Sequence, residues 1–139
     1  MDLLVNIDVP DVQQATSFYC HAFGLTRGRQ LGPGVVELLG AQAPIYLLEK
    51  AEGTGSSGPD TQARSYARHW SPVHLDFVVD DIDAAVARAV AAGAKVEQPV
   101  RTSNWGKLAM LADPFGHGVC LVQFVGRGYD ELVLTTPAG

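Results

Sequence analysis

Two stretches seventy positions apart carry one plan, and that duplication limits what the chain can fold into. Residues 3–9 (LLVNIDV) alternate with period two, and residues 11–23 (DVQQATSFYCHAF) then place Val12, Ala15, Phe18, Tyr19, Ala22 and Phe23 at helical spacing before Gly24. Residues 73–79 (VHLDFVV) and 81–92 (DIDAAVARAVAA), closed by Gly93, repeat the scheme. Val5, Ile7, Val9, Asp11, Val12 and Ala15 correspond to Leu75, Phe77, Val79, Asp81, Ile82 and Ala85. The aspartate at each junction can accept from free amides of the first helical turn and complement the helix dipole, and the glycine beyond each helix suits a left-handed cap.

Further strand candidates follow each helix: 25–30, 34–40 and 43–49 in the first copy, then 94–100, 106–112 and 118–125 in the second. The pattern predicts an α+β chain of two βαβββ modules, 1–50 and 73–125, joined by a linker over 51–72 and followed by a tail over 126–139. The linker opens with AEGTGSSGPD, a flexible composition. Its Tyr66 and Trp70 have two readings, packing the linker onto the sheet or forming a lid over a cleft. In the tail, ELVLTT is expected to be a short extended segment that covers an edge or reaches a partner.

The ten Lys and Arg are spread thinly in a chain of net charge −5, which excludes the basic footprint of a nucleic-acid or anionic-membrane binder. No apolar run reaches the roughly 18 residues of a spanning helix, and Met1–Leu4 lacks a signal-peptide pattern, so a cytoplasmic location is expected. Cys20 and Cys120 stand far apart with no Cys-x-x-Cys spacing, so reduced thiols are expected rather than a redox motif or zinc knuckle.

The segments VNIDVPDVQQATSFYCHAFGL, VHLDFVVDDIDAAVARAVAAGAKV and WGKLAMLADPFGHGVCLVQF, in this order and spacing, resemble the vicinal oxygen chelate superfamily of glyoxalase I, bleomycin resistance proteins and extradiol dioxygenases. The resemblance covers about residues 3–125. It implies that each module curls its sheet into a half-barrel, helix outside, forming a curved mixed sheet with a concave cleft. Metal-dependent members carry ligands, usually His and Glu, on the first and last strand of each module. Short members often pair as homodimers that complete each cleft across a two-fold axis.

Period two turns Val5, Ile7 and Val9 toward the first helix and Leu4, Asn6 and Asp8 toward the cleft; in the second copy His74, Asp76 and Val78 take the cleft side. Matching the terminal strands to the family pattern puts Tyr46 and Cys120 at the remaining ligand positions, so the implied set is Leu4, Tyr46, His74 and Cys120. Leucine donates nothing and tyrosine binds only as phenolate, so no metal and no other cofactor is expected. His74 then reads as a hydrogen-bonding cleft residue; the surviving metal version uses His74, Cys120 and a neighbour such as Asp76. His74 and Asp76, two apart on one face, could also act as an oriented base. Cys120 reads as an apolar filler.

Trp105 either stacks on a flat ligand or closes the core. His117 reads as a surface residue of the Asp113–Gly118 turn, and Arg101 and Glu37 as solvated charges. The predicted ligand-binding residues are Asn6, Asp8, Tyr46, His74, Asp76, Trp105, Met110, Cys120 and Phe124, with Leu4, Leu48, Val78 and Val122 completing an apolar and aromatic lining typical of a small-molecule pocket. The expected function is metal-free binding of an aromatic or amphipathic molecule, such as an antibiotic, by a homodimer. The alternatives are a metal-dependent lyase or dioxygenase with an atypical site, and a subunit that docks to another protein.

Overall fold

The computed structural model describes residues 1–55, 58 and 62–134. The first module runs β1 (Val5–Val9), α1 (Val12–Phe23), β2 (Thr26–Gln30), β3 (Val35–Leu39) and β4 (Ile45–Glu49). The second runs β5 (Leu75–Val78), α2 (Ile82–Ala92), β6 (Lys95–Thr102), β7 (Gly106–Ala112) and β8 (Gly118–Phe124). Each forms its own four-stranded mixed sheet, ordered β1-β4-β3-β2 and β5-β8-β7-β6, with the first and last strands parallel and the others antiparallel. These are the two βαβββ modules of an α+β fold.

Both helices start as the duplicated aspartates require. Asp11 accepts from the amides of Gln13 and Gln14 at 2.9 Å, and Asp81 from Ala84 at 3.1 Å. A second shared device lies on the last strand of each sheet. Glu49 accepts the Val12 amide at 3.0 Å and Gln123 the Ile82 amide at 2.9 Å, so each sheet satisfies a first-turn donor that the N-cap leaves free. Gly24 ends α1 in the left-handed region at φ 67°.

Alternation sets the faces as expected: Val9, Ile45 and Leu47 are buried against α1, while Asn6 is exposed and Tyr46 half-buried on the opposite face. The core is continuous across the modules because the helices pack on each other. Phe18 and Tyr19 of α1 meet edge-on with centres 5.0 Å apart, Phe18 meets Phe115 of the second module at 6.2 Å, and Phe23 stacks on Phe77 at 4.3 Å. Tyr19 donates to Asp113 at 2.5 Å, a buried bond between α1 and the β7–β8 turn. With the helices at the centre, the other faces of the two sheets turn outward.

Two segments differ from expectation. The described part of the linker is anchored rather than loose. Arg64 pairs with Asp8 at 2.8 Å, Arg68 with Glu97 at 2.7 Å, the Tyr66 hydroxyl donates to the Lys50 carbonyl, and Tyr66 packs on the core. Trp70 remains 83 % exposed. After β8 the chain forms a 3₁₀ turn, Gly128–Leu132, which takes in the first two residues of ELVLTT; residues 135–139, including the last two of that segment, lie outside the described residues. Gly128 stands at φ 61° and packs under Phe124, a conformation that alternating apolar residues further along could not signal.

Candidate functional site

The outward face of the second sheet is built by β5, β8 and β7. Asp76 pairs in register with Cys120, and Cys120 with Met110, so these side chains form one row; Val122 and Leu108 form the next. At one end of the face the His74 ring, just ahead of β5, meets Asp76 at 3.2 Å. Cys120 is held against the same carboxylate, and one donor atom from each of His74, Asp76 and Cys120 lies within 4.8 Å of the others. Burial, then the Asp76 charge and the hydrogen bond to it, push the Cys120 thiol up to about 11. The thiol therefore donates and is not a nucleophile at neutral pH. A cavity of about 240 Å³ opens here, lined by Arg68, Trp70, His74, Glu97, Met110 and Cys120. The linker thus supplies one wall.

At the other end, Phe124, Trp105 and Tyr129 form an aromatic group. Ring centres lie 4.7 Å apart for Phe124 and Tyr129, 5.1 Å for Trp105 and Tyr129, and 6.2 Å for Trp105 and Phe124. Tyr129 was not anticipated from the sequence. The 3₁₀ turn folds it back, and the Gly126-Arg127-Gly128 spacing was the only local sign of that return. Phe124 lies four residue steps along β8 from Cys120, roughly 13 Å of mostly apolar floor.

The first sheet holds the rest of the expected set separately. Asn6 is exposed, Asp8 is engaged by Arg64, and the Tyr46 hydroxyl donates to Glu37 at 3.1 Å. Glu37 is not solvated as its charge suggested; it is buried at 5 % exposure. Arg29 grips it with two side-chain nitrogens, at 3.0 and 2.7 Å, and with its backbone amide at 3.1 Å. Those bonds hold the Glu37 carboxyl down to about 2. Gly28 makes room for this arrangement, since a Cβ there would come within 2.7 Å of the carboxylate oxygen. His117 is likewise half-buried rather than on the surface, its Nε2 2.7 Å from the Asp8 carbonyl. Among the described residues no hydrogen bond or ion pair joins Asn6, Asp8 or Tyr46 to His74, Asp76 or Cys120.

The four-ligand metal set implied by the fold does not fit these residues. Leu4 offers no donor and the Tyr46 phenol is spent on Glu37. What remains is the three-donor group on the second sheet.

A family model described as a glyoxalase-like domain matches residues 4–122. The uncharacterised Mycobacterium bovis protein Mb0911c is 42 % identical over 129 residues, covering 83 % of this chain and 78 % of its own length. The anthracycline biosynthesis protein DauV of Streptomyces sp. is 31 % identical over 120 residues, covering 86 % of this chain. The chain spans less than half the length of some curated relatives it matches, 40 % of DauV and 38 % of the Mycobacterium tuberculosis protein CFP32. A glyoxalase/bleomycin resistance protein/dioxygenase family enzyme from Burkholderia phytofirmans superposes with a TM-score of 0.68 at 21 % identity, over 90 % of this chain and 100 % of that one.

Proposed function

Because the chain belongs to the glyoxalase-like domain family, within the vicinal oxygen chelate superfamily, we propose that it binds a small amphipathic molecule with an aromatic ring system, in a cleft that uses no metal ion. One observation carries this reading: the second sheet bears hydrogen-bonding groups at one end and three clustered aromatic rings at the other, across an apolar floor. A fused-ring ligand would stack on Phe124, Trp105 and Tyr129 and extend a polar substituent toward His74 and Asp76. Asp76 would accept from a hydroxyl or ammonium group, and Met110, Leu108 and Val122 would exclude water. The relative DauV, named for anthracycline biosynthesis, supports a fused-ring, antibiotic-like ligand.

A homodimer is part of this reading. Leu4, just ahead of β1, and Val78 on β5 are 57 % and 61 % exposed beside strands that end their sheets, which suits coverage by a second copy that brings Asn6, Asp8 and Tyr46 to the other cleft. Sedimentation showing a monomer with full ligand affinity would remove that part.

The test is thermal shift and calorimetry with an anthracycline. Ligand at a hundred times its dissociation constant should add about 2.7 kcal/mol of stability. Phe124→Ala and Tyr129→Ala should each weaken binding roughly tenfold, and unchanged affinity in both would refute the site. The convergence of His74, Asp76 and Cys120 favours a second reading, a lyase or dioxygenase with an atypical ion. An ion lost in His74→Ala, together with turnover of a catechol or a glutathione hemithioacetal, would decide for it.

A further inference from the structure

Outside that cleft, two imidazoles face each other with nothing between them. His117, on the β7–β8 turn, places Nε2 2.7 Å from the Asp8 carbonyl of β1, and His69, in the linker, places Nδ1 3.0 Å from the Ala67 carbonyl. A carbonyl only accepts, so each of these nitrogens carries its ring's single proton in the neutral state. The remaining nitrogens, His117 Nδ1 and His69 Nε2, then present bare lone pairs to each other at 3.2 Å. Two neutral rings cannot form a hydrogen bond there, and the contact calls for a cation.

We propose that His69 and His117 bind a divalent first-row transition ion of the zinc class, clamping the linker to β1 and the β7–β8 turn. An ion ~2.0–2.1 Å from both nitrogens would subtend an angle of roughly 100–105° across the 3.2 Å gap, near tetrahedral, and would set the ring centres about 5 Å apart. The centres are 5.0 Å apart with the planes at 83°. A straight N–H···N bond between the same rings would separate the centres by about 5.5 Å. Each ring also donates its distal N–H to a carbonyl, the support that fixes tautomer and aim in metal-binding histidines.

The Arg64 charge that borders the site is balanced by Asp8. Asp113, 5 % exposed, accepts the His117 amide and makes no ion pair among the described residues, so a buried carboxylate lies beneath the turn that carries one ligand. A cavity of about 280 Å³ bordered by Asp8, Tyr66, His69, Trp70 and His117 has room for the water that would fill the open coordination positions. Two protein ligands make the ion exchangeable rather than permanent.

The test is calorimetry with zinc chloride on chelator-stripped protein, with ring-nitrogen NMR. The expected result is one ion per chain, bound at least tenfold more weakly by His69→Gln and by His117→Gln but normally by His74→Ala. On zinc addition, the resonances of His69 Nε2 and His117 Nδ1 should shift together. His69 lies in the linker rather than the core, so His69→Gln should keep the ion-free melting temperature and report binding alone. Binding that survives His69→Gln would overturn the proposal, as would no binding together with NMR showing one proton shared between the rings. Because His74→Ala separates this site from the cleft cluster, the outcome is independent of the proposed ligand-binding function.

Discussion

Tyr19→Phe isolates the one buried polar bond found between the first helix and the turn that leads into β8. Tyr19 is 2 % exposed and donates to Asp113 at 2.5 Å, while its ring sits edge-on to Phe18 at 5.0 Å and tilted against Phe23 at 5.6 Å. Phenylalanine keeps the ring contacts and removes only the hydroxyl. Asp113 Oδ1 retains the amides of Phe115 and His117 at 2.8 and 2.9 Å, but Oδ2 is left buried without its donor. A hydrogen bond to a charged group, with its acceptor stranded, is worth about 1.5–3 kcal/mol. For 139 residues the entropy of unfolding is about 0.3 kcal/mol/K, so the melting temperature should fall by roughly 5–10 °C.

The same site makes an alkaline prediction. Burial, reinforced by the charge of Asp113 and the bond to it, raises the Tyr19 hydroxyl well above its ordinary 10.0. Its contribution is complete below pH 10 and is lost as pH rises, because the unfolded phenol ionises first. Urea unfolding from pH 8 to 11 should show a steeper loss in the wild type than in Tyr19→Phe. A Tyr19→Phe loss under about 0.5 kcal/mol, with parallel alkaline slopes, would refute the claim that this bond joins the modules.

Asp76→Asn removes the charge and charged acceptor beside Cys120, so the thiol should move down from about 11 while burial keeps it above its ordinary value; alkylation rate against pH reads this directly. Glu37 has a depressed carboxyl, so its contribution is present above its ordinary 4.5 and lost as pH falls toward about 2; acid unfolding of Glu37→Gln should lack that component. Gly28→Ala places a methyl 2.7 Å from the Glu37 oxygen and should lower the melting temperature. An unchanged melting temperature in that variant would remove the role given to Gly28.

Much of the fold was legible in the sequence because local rules set it. Period-two alternation assigned faces correctly on β1, β4, β5 and β8, and the duplicated Asp11 and Asp81 marked helix starts that their side chains do cap. The family pattern puts Tyr46 and Cys120 at corresponding positions of the terminal strands, and the structure places them at equivalent rungs, opposite Asn6 and Asp76. Glu37 was misread because a charge on a strand looks solvated until its partner is known, and Arg29 reaches it only through the β2–β3 pairing. Tyr129 escapes the sequence reading, and His117 reads as a surface residue, for a related reason. Each acquires its neighbours from segments distant along the chain, Trp105 for one and Asp8 for the other.

The sequence alone determined the duplicated modules and the side of each strand that faces its helix. Those properties follow from side-chain period and chemistry, which travel with the residue. Tertiary structure alone decided that the helices meet at the centre, that Glu37 is buried in an ion pair with Arg29, that an aromatic group gathers past β8, and that His69 and His117 bring ring nitrogens within 3.2 Å of one another. These depend on distances between segments far apart in the chain, which no local pattern encodes.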